Sequence, residues 1–165
     1  MTDDPYPAKT KVPADLLEYG RSVLAAQGFS RLLGAELIRW DANGVELRLG
    51  ARPDLMQQYG FFHGGTIAYL ADNALTFAAA AALGERIVTA EMKINYLRPA
   101  IGEFVTARAW LVHAGRTQAV TRCDVSVKKG NELRICAAAQ GTIARLAAEA
   151  PEKLLPQNAD HQHPD

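Results

Sequence analysis

Residues 61–83, FFHGGTIAYLADNALTFAAAAAL, constrain the chain most. The stretch opens with a His-Gly-Gly turn and continues as one long helix. Between His63 and Glu85 it holds a single carboxylate, Asp72, and no Lys, Arg or further His. A helix this apolar is surrounded by protein, because a surface helix shows a charged face. Asp72 is therefore expected where water is scarce, next to whatever the protein acts on. Gly65, Tyr69, Asp72 and Thr76 fall on one helical stripe of polar character. Ile67, Ala71, Ala74, Ala78, Leu70, Phe77 and Ala81 cover the remaining surface. Two plainer readings compete. A transmembrane span fits poorly: Ala dominates over Leu, no Lys or Arg flanks the N-terminal end, and Asp72-Asn73 sits near the middle, where charge is costly. A purely structural carboxylate needs buried partners, and the sequence names none.

A chain of 165 residues is one domain by the usual size prior. Its 18 basic residues balance 18 acidic ones, so it has no footprint for nucleic acid or for an anionic membrane surface. Cys123 and Cys136 are spaced for neither a CxxC motif nor a zinc site, and no metal site is expected. Both fall in strand-like runs and read as buried free thiols in a reducing compartment. The start, MTDDPYPAKTKVP, has no apolar core and is not a signal peptide, which places the protein in the cytoplasm.

In chain order, residues 1–12 read as a flexible N-terminus, and residues 13–27 as a short helix ending at Gly28. Another turn of helix follows over 29–33. Residues 34–40 and 45–49 form a hairpin about the turn Asp41-Ala42-Asn43-Gly44. After the long helix, stopped by Gly84, the period changes from 3.6 to 2. Val88, Ala90, Met92, Ile94 and Tyr96 are expected on one face; Thr89, Glu91, Lys93 and Asn95 on the other. Strands are expected over 103–113, 117–128 and 133–144. Residues 147–165 have no apolar period and read as a disordered tail, whose His161 and His163 are expected to be solvated rather than to hold metal weakly. The expected fold is α+β, a curved antiparallel sheet of about six strands wrapped round the long helix, with the domain spanning 13–146.

The run HGGTIAYLADNA, followed by TAEMKINYLRPA and then HAGRTQ, resembles the hotdog-fold thioesterases, most closely the phenylacetate-degradation (PaaI-like) type. The resemblance covers residues 29–144. It implies a hotdog domain, a homodimer with a continuous sheet that commonly doubles to a dimer of dimers, and hydrolysis of acyl-CoA thioesters without a metal or redox cofactor. Carried over by position, Asp72 takes the place of the general base or nucleophile, and Gly65 that of the glycine whose N–H polarises the thioester carbonyl. His63 corresponds to the histidine that helps place that carbonyl. Gln57 falls where relatives often have an Asn, and Thr89 where they have a Ser or Thr near the attacking water. Gly64, Tyr69 and Thr76 join the substrate-binding set. So do Tyr96, Arg98, Pro99, His113, Gly115, Arg116 and Thr117, on segments that line the CoA chain, with Arg98 and Arg116 as phosphate contacts.

The chemistry of these residues agrees. A helix N-terminus offers free N–H groups and partial positive charge, glycines admit a close carbonyl, and an oxyanion there is stabilised by preorganised dipoles. A desolvated carboxylate makes a stronger base than one in water, and Arg forks onto phosphate. Each residue has a plainer role. Gly64-Gly65 permits close packing, His63 caps the helix, and Arg116 is an ordinary turn residue. Other enzyme classes fit worse. There is no GxSxG, Walker or GxGxxG motif, and nothing marks a hotdog dehydratase. The remaining alternative is a non-catalytic module binding acyl-CoA or an aromatic ligand on the same fold.

Overall fold

A computed structural model describes residues 16–147. The expectations for residues 1–12, for a first helix beginning at Pro13, and for the tail with His161 and His163 lie outside the described residues. Helix α1 spans Leu16–Ala26 and α2 spans Gly28–Leu33. Strands β1 (Glu36–Asp41) and β2 (Gly44–Gly50) make the first hairpin. Gly44 turns it at φ 124°, where a side chain would also collide with the Ala109 carbonyl. Helix α3 runs Gly64–Leu83 and stops at Gly84. Strands β3 (Ile87–Tyr96), β4 (Phe104–Ala114), β5 (Gln118–Lys129) and β6 (Glu132–Arg145) follow.

All six strands form one antiparallel sheet in the order β1-β2-β4-β5-β6-β3. The sheet curls round α3, which packs against five of its strands, β2 to β6. Leu70, Ala74, Leu75 and Ala78 of α3 share one buried cluster with Leu47, Val105, Val125 and Ile143. Alanines on the helix let the strands approach, while each buried Leu, Ile or Val stabilises the core by roughly 1.5–3 kcal/mol. Helix α3 is long and apolar enough to cross a membrane, and here those apolar side chains are the centre of the core. Helix α1 lies hard on β1: a Cβ at Gly20 would come within 2.5 Å of the Trp40 ring. Trp40 in turn stands edge-on to Phe77 of α3, ring centroids 5.1 Å apart.

The strict alternation expected along β3 is broken. The register slips between Thr89 and Glu91, so Thr89 stands opposite Ile143 and Met92 opposite Gly141. Ala90 takes up the extra residue of a bulge, and the bulge reverses the strand's phase. Thr89 therefore faces α3 on the same side as Met92 and Ile94, not away from them. Strand β3 is also a sheet edge, its outer side unpaired among the described residues. Cys123 and Cys136 are free and buried, and burial pushes both thiols up from their ordinary range.

Candidate active site

The N-terminus of α3 is assembled by backbone pairing from a distant loop. His63 N–H donates to the Leu55 carbonyl (2.8 Å), and Phe62 N–H donates to the Ala100 carbonyl (3.0 Å). These bonds hold His63 as the N-cap, with extended φ −61° and ψ 139°. Its Nδ1 accepts the Gly65 N–H at 2.9 Å, which assigns the imidazole proton to Nε2. The donor expected to polarise a carbonyl is thus already occupied, because a capping side chain satisfies one of the orphan N–H groups of a first turn. His63 and Gly65 are both exposed. A Cβ at Gly65 would lie 3.0 Å from His63 Nδ1, so glycine is what lets this cap close. At Gly64 a Cβ would make only ordinary contact with Tyr96.

Tyr96 donates its hydroxyl to the Gly64 carbonyl (2.9 Å) and ties the end of β3 to the helix tip. Beside it opens a cleft of about 500 Å³ lined by Phe61, Gly64, Gly65, Tyr96, Arg98 and Pro99, among others. Gln57 stands in the preceding loop. Its Oε1 accepts the Tyr59 N–H at 2.8 Å, and its buried Nε2 finds no acceptor among the described residues.

Two turns further along α3, Asp72 is half-buried. The bulge in β3 brings Thr89 Oγ1 to donate to Asp72 Oδ1 at 2.8 Å. Thr76 donates to the Asp72 carbonyl (3.0 Å) and lies 3.1 Å from Thr89 Oγ1. Asp72 and Thr76 of the expected stripe therefore form one cluster with Thr89. Among the described residues no donor reaches Oδ2.

Tyr69 is not placed like the rest of the stripe. Its hydroxyl donates to Ser30 Oγ of α2 at 2.6 Å, and its ring stands perpendicular to that of Phe29, centroids 5.2 Å apart. Ser30 passes the chain on to Gln27 Oε1, 2.5 Å away. Asn73 donates to Gln27 Oε1 and to the Tyr69 hydroxyl, at 3.1 and 3.0 Å. Gln27, Ser30 and Asn73 stand outside the expected set of site residues. Asn73 follows Tyr69 by four positions, and that helical spacing was the available signal.

His113, Gly115, Arg116 and Thr117 lie at the other end of the sheet. Arg145 N–H donates to the Thr117 carbonyl, and Arg145 pairs with Ile87 at the start of β3; Tyr96 is at its end. A ten-residue strand separates the two groups by about 30 Å. Within one chain the β4–β5 turn does not meet the α3 N-terminus. Gly65 and Asp72 are likewise about 10.5 Å apart along the helix axis. A second groove, about 430 Å³, lies between α1 and β1. Its Arg21, Arg31 and Arg48 bond Glu18, Glu36 and backbone carbonyls, and none of the expected reacting groups lines it.

A model of the family described as the thioesterase superfamily matches residues 59–134, which run from the loop before α3 into β6. The medium/long-chain acyl-CoA thioesterase YigI of Escherichia coli K12 is 30% identical over 114 residues, 59% of this chain and 74% of YigI. The 1,4-dihydroxy-2-naphthoyl-CoA hydrolase of Listeria monocytogenes is 25% identical over 119 residues, 62% of this chain and 97% of the hydrolase. The crystal structure of a thioesterase family protein from Silicibacter pomeroyi superposes with a TM-score of 0.73 at 33% identity, covering 76% of this chain and 94% of that one. With its six-stranded sheet wrapped round α3 and this likeness extending over most of the relatives' length, the chain has the hotdog fold and belongs to the thioesterase superfamily.

Proposed function

We propose that this protein hydrolyses acyl-CoA thioesters carrying a medium-sized or aromatic acyl group, as a PaaI-like member of the superfamily. The observation that carries the reading is Asp72, the one carboxylate of α3, held through Oδ1 by Thr89, with no donor to Oδ2 among the described residues. The relatives named for medium- and long-chain acyl-CoA and for a naphthoyl-CoA support that substrate range.

In this reading the thioester carbonyl takes the place of the His63 imidazole on the Gly65 N–H. The exchange replaces one acceptor by another, and the exposed His63 side chain is free to swing aside. Charge developing on the carbonyl oxygen then sits at the positive end of α3, where a preorganised donor is typically worth about 10²–10³ in rate. Asp72 takes a proton from water as the water oxygen attacks the carbonyl carbon. The tetrahedral intermediate collapses, the C–S bond breaks, and the proton passes to the departing CoA thiolate. If Asp72 attacks directly instead, an anhydride forms and water opens it; oxygen-18 from solvent in Asp72 after one turnover separates the routes. The Gln57 Nε2, which finds no acceptor among the described residues, is suited to hold the carbonyl or the water. No step requires a metal or redox cofactor.

The site is complete only in a homodimer. A reacting carbonyl needs its attacking atom within about 3–3.5 Å, and Gly65 is too far from Asp72 of its own chain. A two-fold axis beside the open edge of β3 runs two such strands antiparallel. It lays Gly65 of one copy near Asp72 of the other, and carries the partner's β4–β5 turn toward the cleft. Arg98 and Arg116 then become phosphate contacts from two chains, and two dimers associate as a tetramer. A cytoplasmic placement and the absence of nucleic-acid or membrane partners complete the reading. The test is thiol release from a ladder of acyl-CoAs, acetyl to dodecanoyl, with phenylacetyl-CoA. Turnover should peak at medium or aromatic members. Tight binding with no thiol released from any member would leave a binding module and overturn the proposal.

A further inference from the structure

On top of that reading, we propose that α2 forms the far wall of the acyl pocket, with Phe29 and Leu32 as the residues that set which acyl groups are preferred. Phe29 and Leu32 are 58% and 66% exposed, although both are large and apolar. They are one helical turn apart and so share a face of α2. The helix that presents them is held in place. Ser30, between them, is 1% exposed and closed into the hydrogen-bonded ring with Gln27, Tyr69 and Asn73. A polar ring buried at Ser30 and Asn73 specifies one orientation, because a shift of α2 would orphan those groups together. Its geometric result is the edge-on contact of Phe29 with Tyr69, interplanar angle 86°.

Tyr69 fixes the relation to the reaction centre. It lies four residues after Gly65, about 6 Å along the axis. Tyr69 stands one turn beyond Gly65 on the same helical arc, and Asn73, one turn further, marks the side of that arc toward α2 through its bonds to Gln27 and Ser30. An acyl group whose carbonyl sits at the tip of α3 and whose tail follows this arc passes the Tyr69 ring and ends against Phe29 and Leu32. A short acyl group stops before reaching them. The wall offers rings and a branched alkyl group with no charge, which suits an aliphatic or aromatic tail rather than the phosphates of CoA. The hydroxyl of Tyr69 is spent on Ser30, so the ring presents only its apolar body.

The experiment uses the full chain, with Phe29→Ala and Leu32→Ala, and non-hydrolysable S-alkyl-CoA thioethers from S-methyl to S-decyl. Affinities are measured by calorimetry, and acyl-CoA turnover is measured in parallel. Loss of apolar wall should weaken S-octyl-CoA roughly ten-fold and leave S-methyl-CoA within about two-fold. The ratio of octanoyl-CoA to acetyl-CoA kcat/KM should fall by the same factor. Leu32→Ala keeps the test decisive if Phe29→Ala unsettles α2. Equal changes for short and long thioethers, or none, would overturn the proposal, as would a change of oligomeric state with an unchanged ladder, which would assign the face to a second copy. A wild type that releases no thiol refutes the hydrolase reading alone, since the thioether ladder still decides this one.

Discussion

One helix carries two polar clusters with opposite characters. Around Tyr69 and Asn73 the groups are joined to Gln27 and Ser30 in a ring, buried at Ser30 and Asn73. Around Asp72, half-buried, the Thr89 hydroxyl holds one carboxylate oxygen and no donor among the described residues reaches the other. The two clusters are one residue apart in sequence. The difference teaches that polar character on a core helix marks no role by itself. A ring whose members satisfy one another orders the fold, since an orphaned buried group costs about 1–3 kcal/mol. A carboxylate oxygen that no described residue holds is, in the proposed reading, the group that reacts.

The sharpest way to break this comparison is Asp72→Asn. The amide is nearly isosteric and still accepts from Thr89, yet is neither base nor nucleophile at neutral pH. We expect a folded variant with kcat lowered more than about ten-fold, and by two to three decades if Asp72 is the sole base. A variant keeping a tenth or more of wild-type kcat would falsify the assignment. The dimer reading gives the next effect. Asp72→Asn chains refolded with Gly65→Pro chains, which lack the N–H but tolerate proline in a first turn, should regain roughly a quarter of wild-type activity at random pairing. If mass measurement finds mixed dimers and activity stays absent, both groups act within one chain. The closed cluster should answer in stability instead. Asn73→Leu should cost about 1–3 kcal/mol in urea unfolding and leave acetyl-CoA turnover within about two-fold well below its melting temperature. Full stability, or loss of acetyl-CoA turnover, would erase the distinction between the clusters.

Much of the architecture was legible in the chain. The change of period after Gly84 marks where helix gives way to strands, and turn residues at Asn43-Gly44 and Gly130-Asn131 delimit the hairpins. Asp72 stands out because α3 excludes every other charge, and a helix can do that only inside a protein. Such signals are local, a matter of what each residue tolerates within a few positions of itself.

What the tertiary structure decided is which of these groups meet. Period-2 reading turns Thr89 away from Asp72; the bulge at Ala90, set by pairing with β6, turns it in. Spacing along α3 groups Tyr69 with Asp72, but α2 folds back and takes the Tyr69 hydroxyl for Ser30. The His-Gly-Gly motif marks a helix start, while the occupied Gly65 N–H depends on a cap pinned by Leu55. The β4–β5 turn and the α3 tip read as parts of one site, yet a strand's length of about 30 Å separates them in a single chain. Helix and strand periods follow from backbone geometry and burial and can be read from the sequence alone. Phase slips, caps and cross-element hydrogen bonds depend on partners distant in the chain, and no local pattern encodes them.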